Sequence, residues 1–183
     1  MRMNAALLVV VMESVAGLEA YHVAPPGAAQ GRQRISPHES VSTTVDGADV
    51  TIVYGRPSMR GRTVFGALVQ YGRVWCPGAD EATTLDSNKE LMLGGLHVPP
   101  GPHTIWMLPT ADTWTLIVSK NPSGFHTFYD AERDLGRLEL KKQELATPVE
   151  QLTFAISKAP QGGGTISMTW ERTEVSVPFS VVQ

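Results

Sequence analysis

The strongest constraint on this 183-residue chain is a period of two in its apolar side chains, repeated from Ser40 almost to the C-terminus. Val41, Thr43 and Val45 alternate with Ser42 and Thr44, and Val50, Ile52 and Tyr54 alternate with Thr51 and Val53. The pattern returns at Leu138 and Leu140, at Leu152, Phe154 and Ile156, at Ile166, Met168 and Trp170, and from Val175 to Val181. A strand sends successive side chains to opposite faces, so this period marks sheets with one buried face. Asp46-Gly47, Gly94-Gly95, Pro99–Pro102, Pro109–Asp112 and Gly162–Gly164 separate the apolar runs, and each is a turn former. Only Val64–Tyr71 and Tyr129–Leu135 read as short helices. The expected fold is therefore all-β, an antiparallel β-sandwich or open barrel of about eight to ten short strands with one or two short helices.

The first residues do not share this pattern. Arg2 precedes the apolar stretch Ala5–Met12, and small residues follow at Ser14, Ala16 and Gly17. A basic start, a short apolar run and small residues are the parts of a signal peptide, here expected over residues 1–20. Glu13 interrupts the apolar stretch early. Residues 21–35, rich in Pro, Gly, Ala and Gln, read as a flexible leader. Residues 36–183 then form one β domain. On this reading the protein is exported, to the periplasm or beyond, and keeps no membrane segment after processing.

Charge narrows the classes of partner. Fifteen Lys and Arg stand against 18 Asp and Glu, a formal net charge of −3, which gives no basic surface for a nucleic-acid backbone. The one cysteine, Cys76, excludes an internal disulfide and reads as a small buried hydrophobe. No Gly-x-Ser-x-Gly elbow and no lysine-bearing phosphate loop occurs, so neither a nucleotide nor any other cofactor is expected.

The segment Tyr54–Leu85 breaks the alternation and carries the polar chemistry. Arg56, Arg60 and Arg62 share one Pro/Gly-containing stretch, Arg73 follows, and Asp80-Glu81 comes before Thr83-Thr84. His38-Glu39 stands just before the first strand. Guanidinium and carboxylate groups pair well in bidentate geometry, so the two ends of this excursion are expected to meet. One outcome is a structural ion-pair network. Another is a site where a free arginine holds a polar or anionic group, the carboxylates of Asp80 and Glu81 fix the arginines, Tyr54 supplies an aromatic wall with a hydroxyl, and His38 and Glu39 stand next to them. His97 and His103 flank the Pro-rich reversal and His126 lies in a later loop, but no spacing typical of a metal site occurs and no metal is expected.

Ser36-Pro37-His38-Glu39, Tyr54-Gly55-Arg56-Pro57, Met59-Arg60-Gly61-Arg62, Val74-Trp75 and Gly78–Thr84 resemble the hallmark blocks of domain-of-unknown-function family 2911. Pro99-Pro100-Gly101, Trp114–Ile117, Asp134–Arg137 and Pro148–Leu152 extend the resemblance over about residues 36–181. His103, where the family pattern has tyrosine, and His126, where a Gly/Trp-rich loop is usual, depart from it. The resemblance implies a bacterial protein with an export signal and a compact β-rich domain. It implies no activity, and no catalytic role is carried over from it.

The residues thus lead to a binding domain for a small polar or anionic ligand, or a partner, at Tyr54, Arg56, Arg60, Arg62, Asp80, Glu81, His38 and Glu39. A hydrolase- or isomerase-type enzyme using Asp80 or Glu81 as general base is the competing reading, and it requires a carboxylate with a raised pKa. A third is an assembly protein pairing through edge strands. The sequence leaves the oligomeric state open.

Overall fold

Asp46 and Gly47 adopt φ of 48° and 76° and form the tight turn of a hairpin between β1 (His38–Val45) and β2 (Ala48–Gly55). Both central residues of this turn type need positive φ, which Asp and Gly tolerate best. The computed structural model describes residues 34–120 and 127–183. The expected signal peptide, nearly all of the leader and His126 lie outside them.

Seven strands follow: β3 (Thr84–Ser87), β4 (Leu91–Leu93), β5 (Leu96–Val98), β6 (Gly101–Pro109), β7 (Trp114–Ser119), β8 (Asp134–Lys158) and β9 (Gly164–Val181). Every neighbouring pair is antiparallel, and the order is β1-β2-β3-β6-β7-β8-β9-β4-β5. The sheet does not close into a barrel, because β1 and β5 stand at opposite ends of this order. It is sandwich-like: inward side chains of the β1–β7 half and of the β8–β9–β4 half build one shared core. No helix of the described residues is long and apolar enough to cross a membrane.

Two expectations are corrected here. The runs around Leu138 and Leu152 are one 25-residue strand, β8, and the runs at Ile166–Trp170 and Val175–Val181 are one 18-residue strand, β9. Residues Asp134–Leu140 of β8 pair with β7, and from Lys141 onward β8 pairs with β9. Register shifts interrupt the β8–β9 ladder between Glu144 and Thr153, and because β8 pairs with β7 before Lys141 and with β9 after it, the strand belongs to both halves of the sandwich. The second correction concerns helices. Val64–Tyr71 is a compact turn, because Gly66 sits at φ 87° and the Val69 amide closes back on Val64 O at 2.8 Å. Of Tyr129–Leu135 only Ala131–Arg133 is helical, a single 3-10 turn capped by the Asp130 carboxylate.

The core explains why β6 and β7 read as nearly continuous apolar runs. Ile105, Met107, Leu116 and Val118 face the main core. Trp106 and Ile117, on the opposite face, pack with Cys76 and Ala82 into a second, smaller cluster. The stretch that holds Val74, Cys76 and Ala82 therefore covers the outer face of the sheet, and strands covered on both sides need apolar residues at every position. The main core is well filled; a void of about 10 Å³, lined only by apolar side chains such as Leu85, Met107 and Phe154, is barely large enough for one water and has nothing to bind it.

Candidate functional site

Arg56 follows the last residue of β2 and reaches across to β8. Its Nε donates to Leu152 O at 3.1 Å, one terminal nitrogen donates to Thr153 Oγ1 at 2.9 Å, and the other pairs with Glu39 Oε1 at 2.7 Å. Tyr54 lies beside it, 2% exposed, with its hydroxyl accepting from Phe154 N at 3.2 Å and pointing toward Glu39 Oε2 at 3.5 Å. Burial raises the Tyr54 pKa, so this hydroxyl stays protonated. The backbone continues the contact: Leu152 N donates to Pro57 O and Met59 N to Glu150 O. Together these bonds complete the free edge of β8 with groups from the 54–59 segment. Glu39, Tyr54 and Arg56 thus join the two halves of the sandwich.

The turn that follows is fixed just as closely. Arg60 adopts φ 51° and Gly61 φ 71°. The Arg60 amide donates to Glu150 Oε1 at 2.9 Å. Arg62 folds back on its own turn, with Nε on Met59 O at 2.8 Å and a terminal nitrogen on Ser58 O at 2.9 Å. Further along, Glu171, at φ 54° in β9, accepts from the amides of Val64 and Phe65. The long excursion is thereby tied to the sheet at Glu150, Leu152 and Glu171. Among the described residues the Arg60 guanidinium has no hydrogen-bond or ion-pair partner, and it is exposed.

His38 and Glu81 form a second group. Arg34 grips the Glu81 carboxylate with Nε at 3.0 and 3.2 Å and a terminal nitrogen at 2.7 Å, and His38 Nε2 lies 2.7 Å from the same carboxylate. The Arg34 hydrogen bonds hold the Glu81 carboxyl below the usual carboxylate range. Asp80, adjacent to it, adopts φ 65° on the turn that presses against Gly55. A Cβ at Gly55 would lie 2.1 Å from Ala79 O, so only glycine allows this contact.

The eight expected site residues therefore fall into three places: the β2–β8 seam (Glu39, Tyr54, Arg56), the turn (Arg60, Arg62) and the Arg34–Glu81–His38 cluster with Asp80 beside it. Arg34 and Glu150 take part although neither stood among the expected residues. Glu150 looks in sequence like an ordinary solvent-facing charge of a strand, and nothing local reveals that its side chain and carbonyl anchor a turn about 90 residues away. His97 pairs with Glu90 at 2.7 Å, while buried His103 turns its Nδ1 to Gly101 O. Among the described residues no group of three metal-ligating side chains comes together. Cys76 is fully buried, and burial pushes its thiol up to about 11. Tyr129, tied to both oxygens of Asp134 and to Arg137, is pushed up to about 12 by burial and by the Asp134 bonds.

Fold and site together define a sandwich-like β domain in which a loop excursion tied to β8 and β9 covers the outer face of β6 and β7. Residues 36–179 match the family described as Protein of unknown function (DUF2911), and the chain belongs to that family. No curated protein and no solved structure matches the chain.

Proposed function

We propose that this is an exported binding domain that holds the anionic group of a small molecule at the Met59–Arg62 turn. The observation that carries the reading is the contrast among three neighbouring arginines. Arg56 and Arg62 are engaged with backbone carbonyls, whereas the Arg60 guanidinium has no partner among the described residues. A left-handed backbone at a non-glycine residue is strained, and it persists only where its surroundings hold it. Here Glu150 and Arg62 hold the turn, so Arg60 is presented on a rigid support rather than on a loose loop. A planar guanidinium in that setting suits a carboxylate or phosphate oxygen pair.

The general-base reading is less well supported. A base working near neutrality needs a raised pKa, and Glu81 is held low by Arg34. Export rests on the N-terminal pattern of Arg2 and Ala5–Met12. The test is isothermal titration of the full chain with inorganic phosphate and with citrate. Saturable binding that disappears in Arg60→Ala and survives in Arg73→Ala supports the reading. Binding unaffected by Arg60→Ala, or no binding of either anion, would end it.

A further inference from the structure

A separate concavity lies on the outer part of the same excursion, between the turn at Leu68–Gln70 and the stretch Arg73–Trp75. It measures about 200 Å³ and is lined by Leu68, Val69, Gln70, Arg73, Val74 and Trp75. A cavity of about 150 Å³ accommodates one benzene ring, so this cleft has room for a single ring and a small polar group.

Its walls are built rather than incidental. The Trp75 backbone is bonded to Met107 in both directions at 2.8 Å, and the Gly72 amide donates to Pro109 O at 2.8 Å, which anchors one side to β6. Trp75 stacks on Trp170 with ring centroids 6.1 Å apart and planes 20° from parallel, and Phe65 meets both rings edge-on. The other side is the turn closed by Val69 N on Val64 O and Gly66 N on Val69 O, both at 2.8 Å. Val64, Phe65 and Val69 of this turn are buried, while Leu68 remains 48% exposed at the rim.

The polar chemistry of the cleft is simple. From Thr63 to Ala79 Arg73 is the only charged residue, and its guanidinium has no partner among the described residues. The carboxylate of Glu171, which reaches the base of this turn, is held by the Val64 and Phe65 amides. Gln70 adds an amide that donates and accepts. An unpaired guanidinium, an amide and an aromatic wall in one ring-sized cleft select for a ring that bears a carboxylate.

We infer that this cleft binds a small ring-bearing carboxylate, with its anionic group on Arg73 and its ring against Trp75, Val74 and Leu68. The site is independent of Arg60. The experiment uses ¹⁵N-labelled full chain titrated with phenylacetate, and with phenylacetamide as the uncharged counterpart. The expected result is saturable shifts at the Leu68–Trp75 amides and the Trp75 indole N–H, with a dissociation constant of about 1 mM or tighter. Phenylacetamide binds about tenfold more weakly or worse, Arg73→Ala abolishes the shifts, Leu68→Glu weakens them by placing a negative charge at the rim, and Arg60→Ala leaves them intact. Absence of saturable shifts, equal response to the amide, persistence in Arg73→Ala, or loss in Arg60→Ala would each overturn the assignment. Arg73 and Leu68 are exposed, so neither substitution threatens folding.

Discussion

The hydroxyl of Tyr54 accepts a hydrogen bond from the backbone amide of Phe154, 100 residues later, at 3.2 Å, while the two rings meet edge-to-face with centroids 5.0 Å apart. One side chain thus satisfies a buried edge amide and packs against the residue that owns it. Tyr54→Phe keeps the ring contact and leaves the Phe154 amide without an acceptor. The expected loss is about 1–2 kcal/mol, read as a fall in the urea midpoint at unchanged slope. A variant as stable as the parent would show that water replaces the hydroxyl.

Arg56 makes three bonds that a single ammonium cannot reproduce. Arg56→Lys is expected to lose most of the stabilisation that Arg56→Met loses, about 2–3 kcal/mol, because the fork to Leu152 O, Thr153 and Glu39 depends on planar geometry. Thermal denaturation measures it, at about 2–4 °C per kcal/mol for a domain of this size. Lysine behaving like arginine would indicate that only charge matters at the seam.

Gly55→Ala would set a methyl group 2.1 Å from Ala79 O, an impossible separation between backbone-attached atoms. The strand end or the 78–80 turn must move, and a loss above about 2 kcal/mol is expected. Amide shifts in the variant should spread through Gly78–Glu81 and reach His38, whose ring lies on Glu81.

The Cys76 thiol, raised to about 11, is inert in the folded protein. A thiol reagent at pH 8 is expected to label it only at the rate of unfolding. The same shift makes stability fall with alkali. The folded thiol holds its proton above the ordinary value of about 8.5, so unfolding releases protons and the protein weakens as pH rises from there toward 11. Relative to Cys76→Ala, the native chain is expected to lose about 1–2 kcal/mol between pH 8 and pH 10.

Glu81 behaves in the opposite sense. Its folded pKa is depressed, so the contribution of the Arg34–Glu81–His38 cluster is complete above the unfolded value of about 4.3 and is lost as pH falls through the folded one. Glu81→Gln should therefore lie below the native chain in melting temperature at pH 6, and the two should converge as acid protonates the native carboxylate. The carboxylate is half exposed, so the gap is small and narrows in high salt.

The hairpin at Asp46-Gly47 and the all-β class were readable because they depend on local chemistry: a turn that needs positive φ and side chains that alternate. The continuity of β8 was not, since the alternation lapses between Leu140 and Leu152 and only the pairing with β9 shows that the strand goes on. The apolar spacing of Val64–Tyr71 fits a helix, while Gly66 at φ 87° directs the chain into a turn instead. At the site, the residue types were legible and their partners were not. Arg56 finds Leu152 and Thr153 nearly a hundred residues away, and no local pattern encodes such a contact. Arg34, in the stretch expected to be a leader, pairs with Glu81 for the same reason.

Because β8 serves both faces of the sandwich, this domain has no internal joint. A chain cut within Glu144–Val149 would leave each fragment holding one piece of a strand that both need, so neither fragment is a unit that evolution could duplicate or an experimenter could express alone. Insertions and tags belong instead at places such as the exposed Gln161-Gly162 turn, where β8 has already ended and β9 has not begun.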